Sequence, residues 1–294
     1  MAISKVGVLG CGLMGHGISQ ICAQQGWDVV VREIDQAQLD KGMGKIEKQL
    51  ARAVEKGRME QSDADVVRGR ITPTLEYSDL ADCDLVIEAI TEDLDRKLEM
   101  WREVDELVKD DAYLATNTSS LSVATQADAT KRPERMIGLH FFNPPQVMPL
   151  LEVVRADDSA DDAVALGFEI GEALGKTTVA AGDNRGFIVN RLLVPYMLDA
   201  IRANEEGVGS ISDIDTGMMA GASHPMGPLT LADFVGLDTL VAIADVMVDA
   251  YGEDRFAAPD TLKKMVDAGD FGRKSGKGFY DYSGDKPVPV DAGN

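Results

Sequence analysis

Basic residues are scarce in this chain: 29 Lys and Arg stand against 50 Asp and Glu, a formal net charge of -21 over 294 residues. That deficit argues against non-specific binding to nucleic acid or to an anionic membrane surface, since both need a positive field. Cysteine is scarcer still. Cys11, Cys22 and Cys83 are too few and too scattered for a disulfide framework, and none forms a CxxC pair or a zinc-ligand spacing. They read as small core residues of a protein made in a reducing, cytoplasmic compartment. No apolar run reaches the roughly 18 residues that suggest a membrane span, and no long apolar stretch behind a basic start marks the N-terminus. Histidine occurs three times, at 16, 140 and 224, so groups that titrate near neutrality are few.

What the chain does have is a regular alternation of apolar runs and longer amphipathic stretches in its first half. Segments 6–9, 29–31, 85–87, 113–115, 136–139 and 150–154 are of strand length and mostly continuous in hydrophobicity, which suits parallel strands buried on both faces. Several are separated by enough chain for crossover helices. The expectation is an α/β domain, a Rossmann-type doubly wound and mostly parallel sheet, over residues 1–185. From 186 to 294 the pattern becomes helical, with apolar spacing over 187–204 and further helical segments at 212–221, 228–251 and 259–268. No convincing strand is visible there, so a smaller all-α domain is expected. Pro195, inside the first of these helices, predicts a kink and not a break.

Gly10, Gly12 and Gly15 form a GxGxxG turn that follows one predicted strand, opens a helix and lies within a βαβ unit. The first glycine permits the tight turn, the second lets the backbone approach a pyrophosphate, and the third lets helix and strand pack closely. Leu13 and Met14 complete the turn, and the helix N-terminus faces the anion. Glu33, 18 residues after Gly15, is placed to hold an adenine ribose hydroxyl and to repel the extra phosphate of NADP. Asp35 is the alternative for that role, and adjacent Arg32 leaves some NADP tolerance open.

His140 ends a predicted strand and leads into Phe141-Phe142-Asn143-Pro144-Pro145, at the sheet end where ligands of such folds bind. There it can take a hydroxyl proton while hydride leaves, provided a carboxylate orients its other nitrogen. Glu152 is a candidate orienter, because a carboxylate amid Leu150, Leu151, Val153 and Val154 needs a partner if buried. From this pattern alone, a structural histidine and a strand-edge glutamate remain an equal alternative.

Several segments in order resemble the short-chain L-3-hydroxyacyl-CoA dehydrogenase family, particularly its bacterial 3-hydroxybutyryl-CoA branch. They are the glycine turn with Gly17, residues 84–89, Asn117-Thr118-Ser119-Ser120-Leu121, residues 138–144, Gly186-Phe187-Ile188-Val189-Asn190-Arg191, residues 224–228 and residues 273–280. The resemblance implies NAD as cofactor, His140 as catalytic base, Glu152 as its orienting acid, and Ser119 and Asn190 as polar groups at the substrate oxygens. Glu92, Lys97, Ser119 and Asn143 match positions lining the nicotinamide ribose, and Lys274 matches a cofactor contact. It also implies a homodimer and a place in fatty acid metabolism. Arg185 stands where the family commonly has proline, and Glu33 where it commonly has aspartate.

An acidic protein with a coenzyme A substrate needs a local exception to its charge. Residues 41–58 carry a local charge of +4, whereas 199–260 sum to -10. Lys41, Lys45, Lys48, Arg52 and Lys56 fall close to one helical face. The CoA phosphates are the natural partner, and Arg52 and Lys56 are taken as substrate-binding residues, Lys56 matching a family CoA position. The alternative is a solvated face paired with Glu47 and Glu55. The resemblance implies interconversion of (S)-3-hydroxybutyryl-CoA and acetoacetyl-CoA. A dehydrogenase of dicarboxylic 3-hydroxyacyl-CoA, such as 3-hydroxyadipyl-CoA, and a non-catalytic NAD-binding sensor are the rivals.

Overall fold

The computed structural model describes residues 3–290, and these divide into two compact units that meet at Phe187–Ile188. In the first unit the elements run β1 (Lys5–Leu9), α1 (Gly15–Gln24), β2 (Asp28–Arg32), α2 (Gln36–Glu55), α3 (Gln61–Gly69) and β3 (Ile71–Thr74). They continue with β4 (Leu85–Glu88), α4 (Leu94–Leu107), β5 (Tyr113–Thr116), α5 (Val123–Ala127), β6 (Met136–Phe141), β7 (Leu150–Arg155), α6 (Asp161–Ala173) and β8 (Thr177–Gly182).

The eight strands form one sheet in the order β3-β2-β1-β4-β5-β6-β7-β8. Every neighbouring pair is parallel except β6 and β7. Strand order reverses between β1 and β4, the topological switch point at which folds of this class bind ligands.

Alternation along each strand explains why the sequence reads as continuous apolar runs. Val6 and Val8, Val29 and Val31, and Leu85 and Ile87 enter one core with Ile18, Met43, Ile46, Val67 and Leu166. The residues between them, Val30 and Val86, enter the opposite core with Trp101, Val104 and Val123. Both faces are covered, so both parities must be apolar.

The two strands that hydropathy does not reveal, β3 and β8, are the sheet's edges. Most of their residues are exposed or half-buried, so no apolar run marks them. Pro73 within β3 fits an edge position, where its missing N–H costs the ladder least.

The second unit comprises α7 (Val189–Glu205), α8 (Ile211–Gly221), α9 (Pro228–Val235), α10 (Leu237–Tyr251) and α11 (Asp260–Asp267), followed by the two-residue strands β9 (Tyr280–Asp281) and β10 (Val288–Pro289). The unit is helical as expected, with the short antiparallel β9–β10 pair as an addition; strands of two residues leave no hydropathy signature. The helix expected over 228–251 is two helices. Gly236, at φ 100°, ends α9 in a conformation that favours glycine. On α7, Met197 and Ile201 enter the core with Val194 and Leu198, while Leu192 is 69% exposed. The helix runs through Pro195 without a break.

Candidate active site

The glycine turn after β1 meets three different steric demands. Gly10 has φ 92°, and a Cβ there would lie 2.7 Å from the Ala89 carbonyl oxygen. At Gly15 a Cβ would come within 1.8 Å of the Gly10 carbonyl oxygen, so helix α1 could not start where it does. Around Gly12 a Cβ would meet nothing within 4 Å. The turn is therefore tight on its protein side and open at its middle glycine, a cradle of the kind a pyrophosphate occupies. Leu13 is exposed and Met14 half-buried beside it. Glu33 Oε1 accepts the Cys11 amide at 2.7 Å and Oε2 accepts the Ile34 amide at 2.9 Å, which fixes its carboxylate at the turn. Asp35 is engaged elsewhere, as the N-cap of α2, where it accepts the Gln38 amide. The neighbouring Arg32 stacks on Tyr77 with its guanidinium carbon 3.8 Å from the ring centroid, and donates to the Leu75 carbonyl. These residues fit a dinucleotide.

The sharp turn brings α2 against it, since a Cβ on Gly42 would lie 2.3 Å from the Cys11 carbonyl oxygen. Cys11, Cys22 and Cys83 are all buried, and burial pushes their thiols up to about 12, so none is a ready nucleophile.

His140 and Glu152 are directly opposed residues of the antiparallel β6–β7 pair. Cross-strand partners share a face of the sheet, so this register alone brings the two side chains together. His140 Nδ1 lies 2.6 Å from Glu152 Oε2; Glu152 is fully buried and His140 nearly so. With Nδ1–H donated to the carboxylate, Nε2 keeps its lone pair, and it has no hydrogen-bond partner among the described residues. The ring is flanked by Phe142 and Phe187, at centroid distances of 4.6 and 5.4 Å. Asn117 Oδ1 accepts the Phe141 amide and ties the end of β6 to the loop after β5.

The other two histidines have different partners. His16 is buried, with Nδ1 2.6 Å from the Gly12 carbonyl and Nε2 3.2 Å from the Gln49 amide, and burial pushes its pKa down. His224 Nδ1 lies 2.8 Å from the Tyr196 hydroxyl. Neither meets a carboxylate.

Beyond β4 and β5 the structure gathers Glu92, Lys97 and Ser119. Glu92 Oε1 accepts the Thr118 hydroxyl at 2.6 Å, the Ser119 amide at 2.8 Å and hydroxyl at 3.3 Å, and both donors of Ser120 at 3.1 Å. Burial raises the Glu92 carboxyl, but the Lys97 charge and hydrogen bonds from Thr118 and Ser119 outweigh it and hold it at about 2. Lys97 is 1% exposed, so its charge is buried and not on the surface. It makes an ion pair with Glu92 and a closer one with Glu88, a residue to which sequence reasoning assigned no role. The signal was available: Glu88 ends an apolar strand, and the rule that singled out Glu152 applies to it equally.

Asn143 is exposed in the loop after β6, where Lys176 Nζ holds the Met148 carbonyl at 2.9 Å. Asn190 is half-buried in the first turn of α7, within the second unit. Lys274, also in that unit, pairs with Asp238. On α2, the core face is Leu39, Met43, Ile46 and Leu50, and Lys41, Lys48 and Arg52 are exposed away from it; Lys56, exposed as well, is the helix C-cap. Glu47 is engaged by Arg68 at 2.9 Å and so does not neutralise the stripe. Lys41, Lys45, Lys48, Arg52 and Lys56 form no salt bridge among the described residues.

Among the described residues no helix is long and apolar enough to cross a membrane, and no cluster of candidate metal ligands occurs. Comparison with known proteins matches residues 5–184 to the family profile described as 3-hydroxyacyl-CoA dehydrogenase, NAD binding domain, and residues 186–282 to the corresponding C-terminal domain. A 3-hydroxybutyryl-CoA dehydrogenase of Mycobacterium tuberculosis is 47% identical over 96% of this chain and 99% of its own. A probable 3-hydroxybutyryl-CoA dehydrogenase of Deinococcus radiodurans is 46% identical over 95% of this chain and all of its own, 100%. The crystal structure of the (S)-3-hydroxybutyryl-CoA dehydrogenase of Ralstonia eutropha superposes with a TM-score of 0.92 at 38% identity, covering 96% of this chain and 100% of that one. With both halves matched in order and relatives this similar over nearly full length, the chain belongs to the 3-hydroxyacyl-CoA dehydrogenase family and is an NAD-dependent enzyme.

Proposed function

We propose that this enzyme interconverts (S)-3-hydroxybutyryl-CoA, or a closely related short-chain 3-hydroxyacyl-CoA, with the 3-ketoacyl-CoA, His140 acting as the proton-transfer group. The observation that carries the proposal is the 2.6 Å contact between His140 Nδ1 and the buried Glu152 carboxylate, which leaves Nε2 as the free basic nitrogen. When bound, NAD would supply hydride-acceptor chemistry at the carbinol carbon, and its reduced form hydride-donor chemistry at the ketone. In the oxidative direction His140 Nε2 removes the hydroxyl proton, and Glu152 stabilises the imidazolium that results; in reduction the same nitrogen returns the proton to the forming alkoxide. Ser119 supplies a neutral hydroxyl that can hold a substrate oxygen without competing as a base. Glu33 holds the adenine ribose, and its charge disfavours a 2′-phosphate there.

The basic stripe on α2, with Arg52 and Lys56 at its end, receives the CoA phosphates. Its support is that these cations lack ion-pair partners among the described residues while the chain as a whole is strongly acidic. The second unit supplies further substrate contacts and the interface of a homodimer; exposed Leu192 and Phe234 are apolar surface that a second copy would cover. Three buried, unpaired cysteines suit a reducing cytoplasm.

The test is NADH oxidation followed spectrophotometrically with acetoacetyl-CoA, longer 3-ketoacyl-CoAs and a 3-ketoacyl-CoA carrying a distal carboxylate, repeated with NADPH. Highest kcat/KM for acetoacetyl-CoA with NADH is expected. Preference for the dicarboxylic substrate, or an undiminished rate in His140→Ala, would refute the assignment.

A further inference from the structure

The group around Lys97 is more than a contact for the cofactor ribose. Lys97 Nζ lies 2.7 and 2.8 Å from the two oxygens of Glu88 and 3.1 Å from Glu92 Oε2. Glu88 is completely buried; its Oε2 accepts the Thr116 hydroxyl at 2.6 Å and its Oε1 the Ile90 amide at 2.7 Å. Two carboxylates thus share one ammonium, and the cluster carries a formal charge of -1. Burying ions is unfavourable unless they are paired and hydrogen-bonded, and here each one is. A single carboxylate would have balanced Lys97. The second, Glu92, leaves one unit of negative charge beyond that balance while it also holds the 118–120 turn.

The position of the excess is set by topology. Glu88 closes β4 and Thr116 closes β5, on the far side of the switch point from the glycine turn. A dinucleotide that crosses a doubly wound sheet lays one mononucleotide over each half, with its pyrophosphate at the glycine turn. With Glu33 at the end of β2 suited to the adenosine half, the nicotinamide half would lie toward β4, β5 and β6, the half that contains Glu88 and His140. The nicotinamide ring is neutral when reduced and carries +1 when oxidised.

We propose that the Glu88–Lys97–Glu92 cluster is a charge-setting device that favours the oxidised nicotinamide over the reduced one, with Glu88 as its positioning residue. Glu88 is completely buried and acts through Lys97: it fixes Lys97, which pairs with Glu92, which holds the Ser119 turn. One net negative charge attracts the positive ring and is indifferent to the neutral one.

The inference deepens the hydride-transfer reading and rests on it. Dissociation constants of NAD and NADH are measured for the wild-type chain, Glu88→Gln and the double variant Glu88→Gln/Lys97→Met, NADH by its fluorescence and NAD by calorimetry. The ratio of the two constants cancels contacts common to both forms. Glu88→Gln brings the cluster to zero charge and should weaken NAD relative to NADH by about tenfold. The double variant restores -1 through Glu92 and should return the ratio toward the wild-type value. An unchanged ratio in folded Glu88→Gln overturns the proposal, as does a ratio that shifts equally in both variants, which marks a structural role. Should Glu88→Gln not fold, Glu92→Gln produces the same zero charge, and an unchanged ratio there is equally fatal. Failure of NADH to bind the wild-type chain would instead count against the hydride-transfer reading.

Discussion

Glu152 and Glu92 are both carboxylates beside a functional group, yet their surroundings give them different roles. Glu152 is completely buried with Oε2 against the His140 imidazole, so it bears on the orientation and charge of that ring. Glu152→Gln keeps the size but loses the charge that supports an imidazolium. It should lower kcat by roughly two to four orders of magnitude with a much smaller change in the KM for acetoacetyl-CoA, as steady-state assays with NADH would show. Glu92 serves a turn as well as a cation. Its carboxyl is held at about 2 in the folded state, below its ordinary value of 4.5. A depressed carboxyl contributes stability that is complete above its unfolded pKa and is lost as pH falls through the folded one. Glu92→Gln should therefore lower the melting temperature at pH 7 and flatten its fall between about pH 4.5 and 2, when melting curves of the two proteins are compared across that range. The site chemistry legible in sequence is of the Glu152 kind, an acid stranded in an apolar strand. Glu88 carries the same mark, but its partner Lys97 comes from helix α4, nine residues on, and nothing in the strand announces that pairing.

At the level of elements, the glycine turn is set by what packs on it and not only by its own three glycines. Helix α2 crosses so close that the Gly42 position would place a Cβ 2.4 Å from the Cys11 sulfur and 2.7 Å from its Cβ. Gly42→Ala should cost about 1–3 kcal/mol by overpacking and should weaken NADH binding, because relief requires the turn to move. Chemical denaturation and fluorescence titration would measure the two effects, and loss of stability with unaltered NADH affinity would show that the turn tolerates the shift. Nothing in the GxGxxG spacing announces Gly42; it is a contact between segments about thirty residues apart. The edge strands β3 and β8 and the Gly236 break escaped hydropathy for local reasons: exposed faces in the first case and a single positive φ within an apolar stretch in the second.

For the molecule as a whole, a net charge of -21 and a basic stripe of opposite sign should respond to salt in opposite senses. Ionic strength screens the self-repulsion of the acid excess, and it also screens attraction between the stripe and a polyanionic substrate, over a Debye length of about 10 Å at 0.1 M. Raising salt from low to moderate concentration should raise the melting temperature while raising the KM for acetoacetyl-CoA. Arg52→Ala and Lys56→Ala should flatten the second dependence and leave the first nearly unchanged; equal salt slopes in wild type and variants would dissociate the stripe from CoA. The sequence by itself determined the strand-rich first half and helical second half, the nucleotide turn and the candidate base. These follow from local periodicity and from residue chemistry that any context would preserve. Only the tertiary structure decided that Glu33 and not Asp35 reaches the turn, that His140 and Glu152 stand in register across β6 and β7, and that Lys97 is shared by two carboxylates. Each of those depends on strand register or on a helix laid across the sheet, and close contacts between residues far apart in the chain are fixed by packing rather than by the order of the residues.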